Sequence, residues 1–188
     1  MFCTAIIFAI DTKKTKMKTI AVIGAGTMGN GIAHVFAQNG FSVRLIDVNR
    51  QQLDKAISTI GKNLDRMIAK GTITAEQKQS TLSNLTINEL LQAGVQGAEL
   101  VIEAASENIE LKLSIFKQLD EFCDKDCILA TNTSSISITK IAAVTSRPQQ
   151  VIGMHFMNPV PVMKLVEIIN GYATSNEVCA AITELTKQ

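Results

Sequence analysis

Thr19-Ile20-Ala21-Val22-Ile23-Gly24-Ala25-Gly26-Thr27-Met28-Gly29-Asn30-Gly31-Ile32-Ala33 is the stretch on which the fold turns. Thr19 to Ile23 form a short apolar run, as expected of a strand buried on both faces of a parallel sheet. Gly24 to Gly29 then carry the GxGxxG spacing. Ile32, Ala33, Val35, Phe36 and Ala37 supply an apolar helical face that stops at Asn39-Gly40. Glycines alone also mark ordinary turns, so the spacing gains its meaning from the strand before it and the helix after it. Gly24 permits the tight turn, Gly26 lets the backbone approach a pyrophosphate, and Gly29 allows close helix–strand packing. The N–H groups opening the helix face the phosphates.

Working outward, Phe41 to Ile46 read as a second strand ending at Asp47, eighteen residues beyond Gly29. A carboxylate there would accept hydrogen bonds from adenosine ribose hydroxyls and repel a 2′-phosphate, which points to NAD. Arg50 nearby weakens that preference and leaves NADP open. Apolar residues at Leu53, Ala56, Ile57, Ile60, Leu64, Met67 and Ile68 predict a helix over 51–70, closed by Gly71. Thr74 to Leu82 read as a helix capped by Thr74, with Glu76 and Gln77 close behind. Leu85 to Ile87 read as a strand, 88–92 as a short helix, Glu99 to Glu103 as a strand and Ile109 to Phe122 as a helix. Further strands are expected at Cys127 to Ala130, Val151 to Met154 and Leu165 to Ile169. Alternating strands and helices predict an α/β fold, a Rossmann-type doubly wound, mainly parallel sheet with helices on both faces.

Composition bounds the function. The 188 residues are 46% hydrophobic and 19% charged, and Lys+Arg 18 against Asp+Glu 17 gives a net charge of +1. That balance argues against nucleic acid as a partner, as do the absent Trp and the single Tyr. No apolar run is long enough to span a bilayer, so no membrane partner is expected. The four cysteines form no CxxC pair, so neither a metal site nor a disulfide framework is expected, and reduced thiols suit a cytoplasmic protein. In residues 1–17 an apolar stretch precedes the lysines, the reverse of a secretory signal. They are expected to be an extension outside the fold, with 18–188 forming one dinucleotide-binding domain.

Two further clusters carry chemistry. Ala130-Thr131-Asn132-Thr133-Ser134-Ser135 directly follows a strand, where ligands of open α/β sheets gather. The segment Met154-His155-Phe156-Met157-Asn158-Pro159-Val160-Pro161 is followed by Lys164-Leu165-Val166-Glu167. If the chain reverses about Pro161, His155 and Glu167 become cross-strand neighbours with Cβ atoms ~5 Å apart. A carboxylate at that range orients an imidazole for acid–base work near neutrality. His34, on the first helix, reads as non-catalytic.

The segments VIGAGTMGNGIA, VIEAASEN, ATNTSSISIT and GMHFMNPVPVMKLVEII together resemble the NAD-binding domain of the 3-hydroxyacyl-CoA dehydrogenases, in particular the bacterial 3-hydroxybutyryl-CoA dehydrogenases, from about Met17 to the last residue. The resemblance implies His155 as general acid/base, Glu167 as the group orienting it, and Ser134 bonding the 3-oxygen of the substrate. It implies cofactor contacts at Gly24, Ala25, Gly26, Thr27, Met28, Gly29, Asp47, Glu107, Lys112, Asn132 and Asn158. Lys70 is placed to meet a CoA phosphate, while a serine that meets CoA in relatives is replaced by Asn63. The implied reaction is hydride transfer between C3 of a short 3-hydroxyacyl-CoA, such as 3-hydroxybutyryl-CoA, and NAD. Its reverse reduces acetoacetyl-CoA, so fatty-acid or butyrate metabolism is the setting.

The family continues for roughly another hundred residues as a helical domain that supplies a homodimer interface and a catalytic asparagine. The last helical pattern here stops without a cap, so the chain is expected to be an incomplete form. The alternative reading is a truncated, non-catalytic dinucleotide-binding module. A dehydrogenase of free β-hydroxyacids shares the glycine turn but leaves the pairing of His155 with Glu167 and Lys70 unexplained.

Overall fold

Ile20 and Val22 pack into one apolar cluster and Ala21 and Ile23 into another, and all four are buried. That is the period-two alternation of a strand covered on both faces, which is why its sequence reads as an unbroken apolar run. The computed structural model describes residues 2–6 and 17–186. The strands are β1 (Phe2–Ile6), β2 (Thr19–Ile23), β3 (Ser42–Ile46), β4 (Leu85–Asn88), β5 (Leu100–Glu103), β6 (Ile128–Thr131), β7 (Val151–Phe156) and β8 (Leu165–Asn170). The helices are α1 (Thr27–Gln38), α2 (Arg50–Ala69), α3 (Ala75–Ser83), α4 (Leu91–Val95), α5 (Ile109–Phe122), α6 (Ile138–Ala142) and α7 (Asn176–Thr186).

The eight strands form one sheet in the order β1-β8-β7-β6-β5-β2-β3-β4. From β7 to β4 every pairing is parallel; β8 is antiparallel to β7 and β1 antiparallel to β8. After β2 the chain moves outward through β3 and β4, then returns to place β5 on the other side of β2. This reversal opens a crevice at the carboxyl ends of β2 and β5, the place where such sheets bind ligands. The expected Rossmann-type α/β fold is the fold observed.

Helices cover both faces. Phe36 of α1, Leu53 of α2, and Val178, Ile182 and Leu185 of α7 join the Ile20–Val22 side. Val95, Ile115, Phe116, Leu119, Ile138 and Ile141, from α4, α5 and α6, join the other. Each fully buried side chain of this size contributes ~1.5–3 kcal/mol, so the two layers together outweigh any single polar contact. Phe36 meets Phe41 edge-on at 5.5 Å and Phe156 at 6.2 Å, which ties α1 to both halves of the sheet. The Thr74 cap is present as a reciprocal box with Gln77, Thr74 Oγ1 accepting from the Gln77 N–H at 3.2 Å.

Three departures from the sequence reading have local causes. Residues 2–6, expected outside the fold, run as β1 along β8, where an unpaired edge would otherwise leave a row of backbone groups open. Residues 7–16 of the expected extension lie outside the described residues. The short helix expected over 88–92 begins instead at Leu91, because the Asn88 carbonyl stays in the sheet and accepts the Asp47 N–H at 3.2 Å. Helix α6 was not expected; at five residues it has too few turns to show a period, although Ser137 caps it by accepting the Lys140 N–H.

Candidate active site

The glycine turn is built as its spacing requires. Gly24 has φ +94°, and a Cβ there would lie 2.7 Å from the Ala104 carbonyl oxygen. A Cβ on Gly29 would lie 1.7 Å from the Gly24 oxygen, so the third glycine lets α1 start directly against the end of β2. At Gly26 the space a Cβ would occupy has nothing within 4 Å. Gly26 is also the N-cap of α1 and offers no side-chain oxygen to the first-turn N–H groups, whereas Asn49, Thr74 and Asn108 cap α2, α3 and α5. An open helix N-terminus under a bare glycine suits a pyrophosphate.

Asp47 stands at the carboxyl end of β3, and both its oxygens are held: Oδ2 accepts the Ala25 N–H at 2.8 Å and Oδ1 the Asn49 N–H at 2.9 Å. It lines a cavity of about 530 Å³ with Gly24, Gly26, Val48 and, from the opposite wall, Ala104, Leu91, Leu111 and Ile115. Apolar walls with a carboxylate at one end suit an adenosine. Ala104 and Ala105 are shared with a second cavity of about 340 Å³, lined by Met28, Glu107, Asn132, Ser134, His155, Met157 and Asn158. One crevice thus runs across the sheet switch point, from Asp47 past the glycine turn to His155.

At the far end of this crevice His155 and Glu167 are register partners on β7 and β8, and Pro161 is the midpoint of the reversal between them. The imidazole Nδ1 lies 2.8 Å from Glu167 Oε2. An ionised carboxylate can only accept, so Nδ1 is the nitrogen that donates to Glu167, and Nε2 is the nitrogen left to exchange a proton with another group. Ser134, after β6, is exposed and shares both its cavities with His155. Asn132 is held in place because its Oδ1 accepts the Phe156 N–H at 2.9 Å, which links the ends of β6 and β7.

Glu107 is placed by three groups at once. Its carboxylate accepts the Thr133 hydroxyl, the Ser135 hydroxyl at 3.0 Å, and has the Lys112 ammonium at 3.5 Å. Burial works against its charge, but these partners prevail and hold it below the usual carboxylate range. Lys112 is not a free cation in the crevice: it is 1% exposed and bonded to Glu103 at 2.7 Å. Its ammonium also meets the Glu107 carboxylate at 3.5 Å and the Ala105 carbonyl at 3.4 Å. Glu103, which sequence reasoning did not single out, is the hub, also accepting from the Thr131 hydroxyl and the Ala105 N–H at 2.7 Å each. The signal available was an acid closing an otherwise apolar strand.

Lys70 is the C-cap of α2, exposed and not among the residues lining these cavities. A groove of about 420 Å³ instead meets α2 nearer its start, along Gln52, Lys55, Thr59 and Asn63, with Thr27, Asn30 and Asn158 to Pro161 opposite. Sequence reasoning passed over Lys55 and Thr59, though their three- and four-residue spacing marks one helix face. His34 lies buried in α1, away from every cavity described above. Among the described residues no cluster of His, Cys, Asp or Glu could hold a metal ion, and no helix is long and apolar enough to cross a membrane.

Comparison with known proteins agrees with this geometry. The family model described as 3-hydroxyacyl-CoA dehydrogenase, NAD binding domain, matches residues 19–188. A probable 3-hydroxybutyryl-CoA dehydrogenase of Bacillus subtilis is 47% identical over 92% of the chain and 60% of its own length. A 3-hydroxyadipyl-CoA dehydrogenase of Escherichia coli is 48% identical over 90% of the chain and 36% of its own length. Among solved structures, the (S)-3-hydroxybutyryl-CoA dehydrogenase of Ralstonia eutropha superposes with a TM-score of 0.89 at 45% identity, over 92% of the chain and 60% of that protein. The chain therefore spans no more than about three fifths of these relatives. With its glycine turn, its crevice and its matching sequence, the chain belongs to the 3-hydroxyacyl-CoA dehydrogenase family, of which it carries the NAD-binding domain.

Proposed function

We propose that this domain binds NAD(H) and carries the proton-transfer machinery for interconverting 3-hydroxyacyl-CoA and 3-ketoacyl-CoA thioesters. The pairing of His155 with Glu167 at the end of the dinucleotide crevice is the observation that carries the reading. A nicotinamide dinucleotide bound in the crevice supplies hydride transfer. Glu167 holds the imidazole so that Nε2 takes the proton of the substrate's 3-hydroxyl, and the positive charge that forms is balanced across the 2.8 Å contact. Ser134 donates to the same substrate oxygen as negative charge develops on it. In the reducing direction the protonated Nε2 returns its proton to that oxygen.

NAD is the cofactor we assign, because the fixed Asp47 carboxylate accepts from a ribose diol and repels a phosphate ester. Short acyl-CoA thioesters such as acetoacetyl-CoA are the substrates, the exposed face of α2 from Lys55 to Lys70 meeting the CoA phosphates. The free thiols of Cys123, Cys127 and Cys179 suit a reducing, cytoplasmic setting. The test is NADH binding by fluorescence together with acetoacetyl-CoA-dependent NADH oxidation. His155→Gln should lose about 10²–10⁴ in turnover and keep its NADH affinity. Normal turnover in that variant sinks the catalytic assignment. Binding without turnover in the unmodified chain gives the domain a binding role alone.

A further inference from the structure

We infer that Glu89 and Asp54 set cofactor specificity, by engaging the Arg50 guanidinium in ion pairs and so withholding its charge from a phosphate at the adenosine end of the crevice. The inference rests on the dinucleotide reading of that crevice. Ile46 and Asn88 are register partners on the parallel strands β3 and β4, so the next residues, Asp47 and Glu89, leave the sheet side by side. Both line the adenosine cavity. Arg50, three residues after Asp47, is the cation that would neutralise a 2′-phosphate there. It is already engaged: Nε bonds Asp54 Oδ1 at 3.0 Å, and Nη1 reaches Glu89 Oε1 at 3.5 Å.

The charges decide the outcome. Asp54 and Glu89 pair with one guanidinium, and Asp47 lines the same cavity as Glu89, so three carboxylates stand against one cation at this corner with Arg50 in place. A 2′-phosphate brings close to two further negative charges and must also draw Arg50 from both partners. Each exposed pair is individually weak, and a single aspartate or glutamate would be a poor lock. Two carboxylates on one guanidinium, from α2 and from the end of β4, restrain it from two directions. A ribose diol meets none of this repulsion.

The experiment measures NADH and NADPH affinities of the whole chain by nicotinamide fluorescence at low salt. Asp54→Asn with Glu89→Gln should raise NADPH affinity relative to NADH by about tenfold, and adding Arg50→Ala should reverse most of that gain. The wild-type discrimination should also shrink with added salt. An NADPH-to-NADH ratio within about twofold of wild type in the double variant overturns the inference. A gain that survives Arg50→Ala also overturns it, since the guanidinium would then be irrelevant. A wild-type chain that binds neither dinucleotide overturns the cofactor reading itself, and the inference with it.

Discussion

Lys112 Nζ lies 2.7 Å from Glu103 Oε1, and both side chains are almost fully shielded from water beneath the crevice. Such a pair contributes little net stability, because desolvating both charges offsets their attraction, but it fixes geometry. Removing one partner is another matter, since it strands the other charge. Lys112→Met should cost about 3–5 kcal/mol in urea unfolding, and Lys112→Met with Glu103→Leu should cost clearly less. A double variant as unstable as the sum of the two single ones would show that the pair is not coupled.

The glycine turn separates folding from binding. Gly29→Ala places a Cβ at 1.7 Å from the Gly24 oxygen, so the chain should fold poorly or lose several degrees in Tm. Gly26→Ala meets nothing within 4 Å and should leave Tm unchanged while weakening NADH binding by about tenfold. Equal losses of Tm in the two variants would argue that Gly26 is structural.

His34 makes stability depend on pH. Burial lowers its pKa to about 4, the neighbouring Gln38 side chain opposing it more weakly, and neither ring nitrogen makes a hydrogen bond of good geometry. Between its unfolded value near 6.5 and about 4 the unfolded chain binds the extra proton, so stability falls as the pH drops through that window. The loss is about 3 kcal/mol once the pH is below 4. His34→Leu should remove that part of the slope, read as the wild-type-minus-variant difference in unfolding free energy between pH 7 and 4. A constant difference across the window would refute it.

Arg147 closes the end of α5. Its guanidinium donates to the Asp120 carboxylate at 2.9 Å, to the Asp120 and Cys123 carbonyls at 2.6 and 3.0 Å, and to the Asp124 carbonyl. Burial alone would raise the pKa of Asp120, but the bonds from Arg147 and Ser146 lower it. The stability this gives is present above pH ~4 and is lost as the pH falls through the depressed value. Arg147→Lys keeps the charge but not the planar fork, and should cost about 2–3 kcal/mol at neutral pH. Thermal unfolding of that variant at pH 7 within 1 °C of wild type would count against the fork as the stabilising element.

The glycine turn, Asp47 and the reversal about Pro161 were legible in the sequence because each depends on local spacing. GxGxxG constrains only a strand, a turn and a helix that are contiguous. The His155–Glu167 contact follows from a hairpin whose midpoint can be counted. Glu103 was not legible in the same way: its partners Lys112 and Thr131 lie on α5 and β6 and meet it only in the folded sheet. Strand β1 escaped for a related reason, since an apolar run of five residues takes meaning only from the β8 edge beside it.

The sequence by itself determined the alternation of strands and helices, the glycine turn and the pairing of His155 with Glu167, because backbone preferences and hydrophobic periodicity act over neighbouring residues. The tertiary structure alone decided which charges are spent on one another. Lys112 is sealed against Glu103, Arg50 is held between Asp54 and Glu89, and His34 is buried inside α1's packed face. Those outcomes depend on distances between elements far apart in the chain and on how completely water is excluded between them, and neither quantity is written in local sequence.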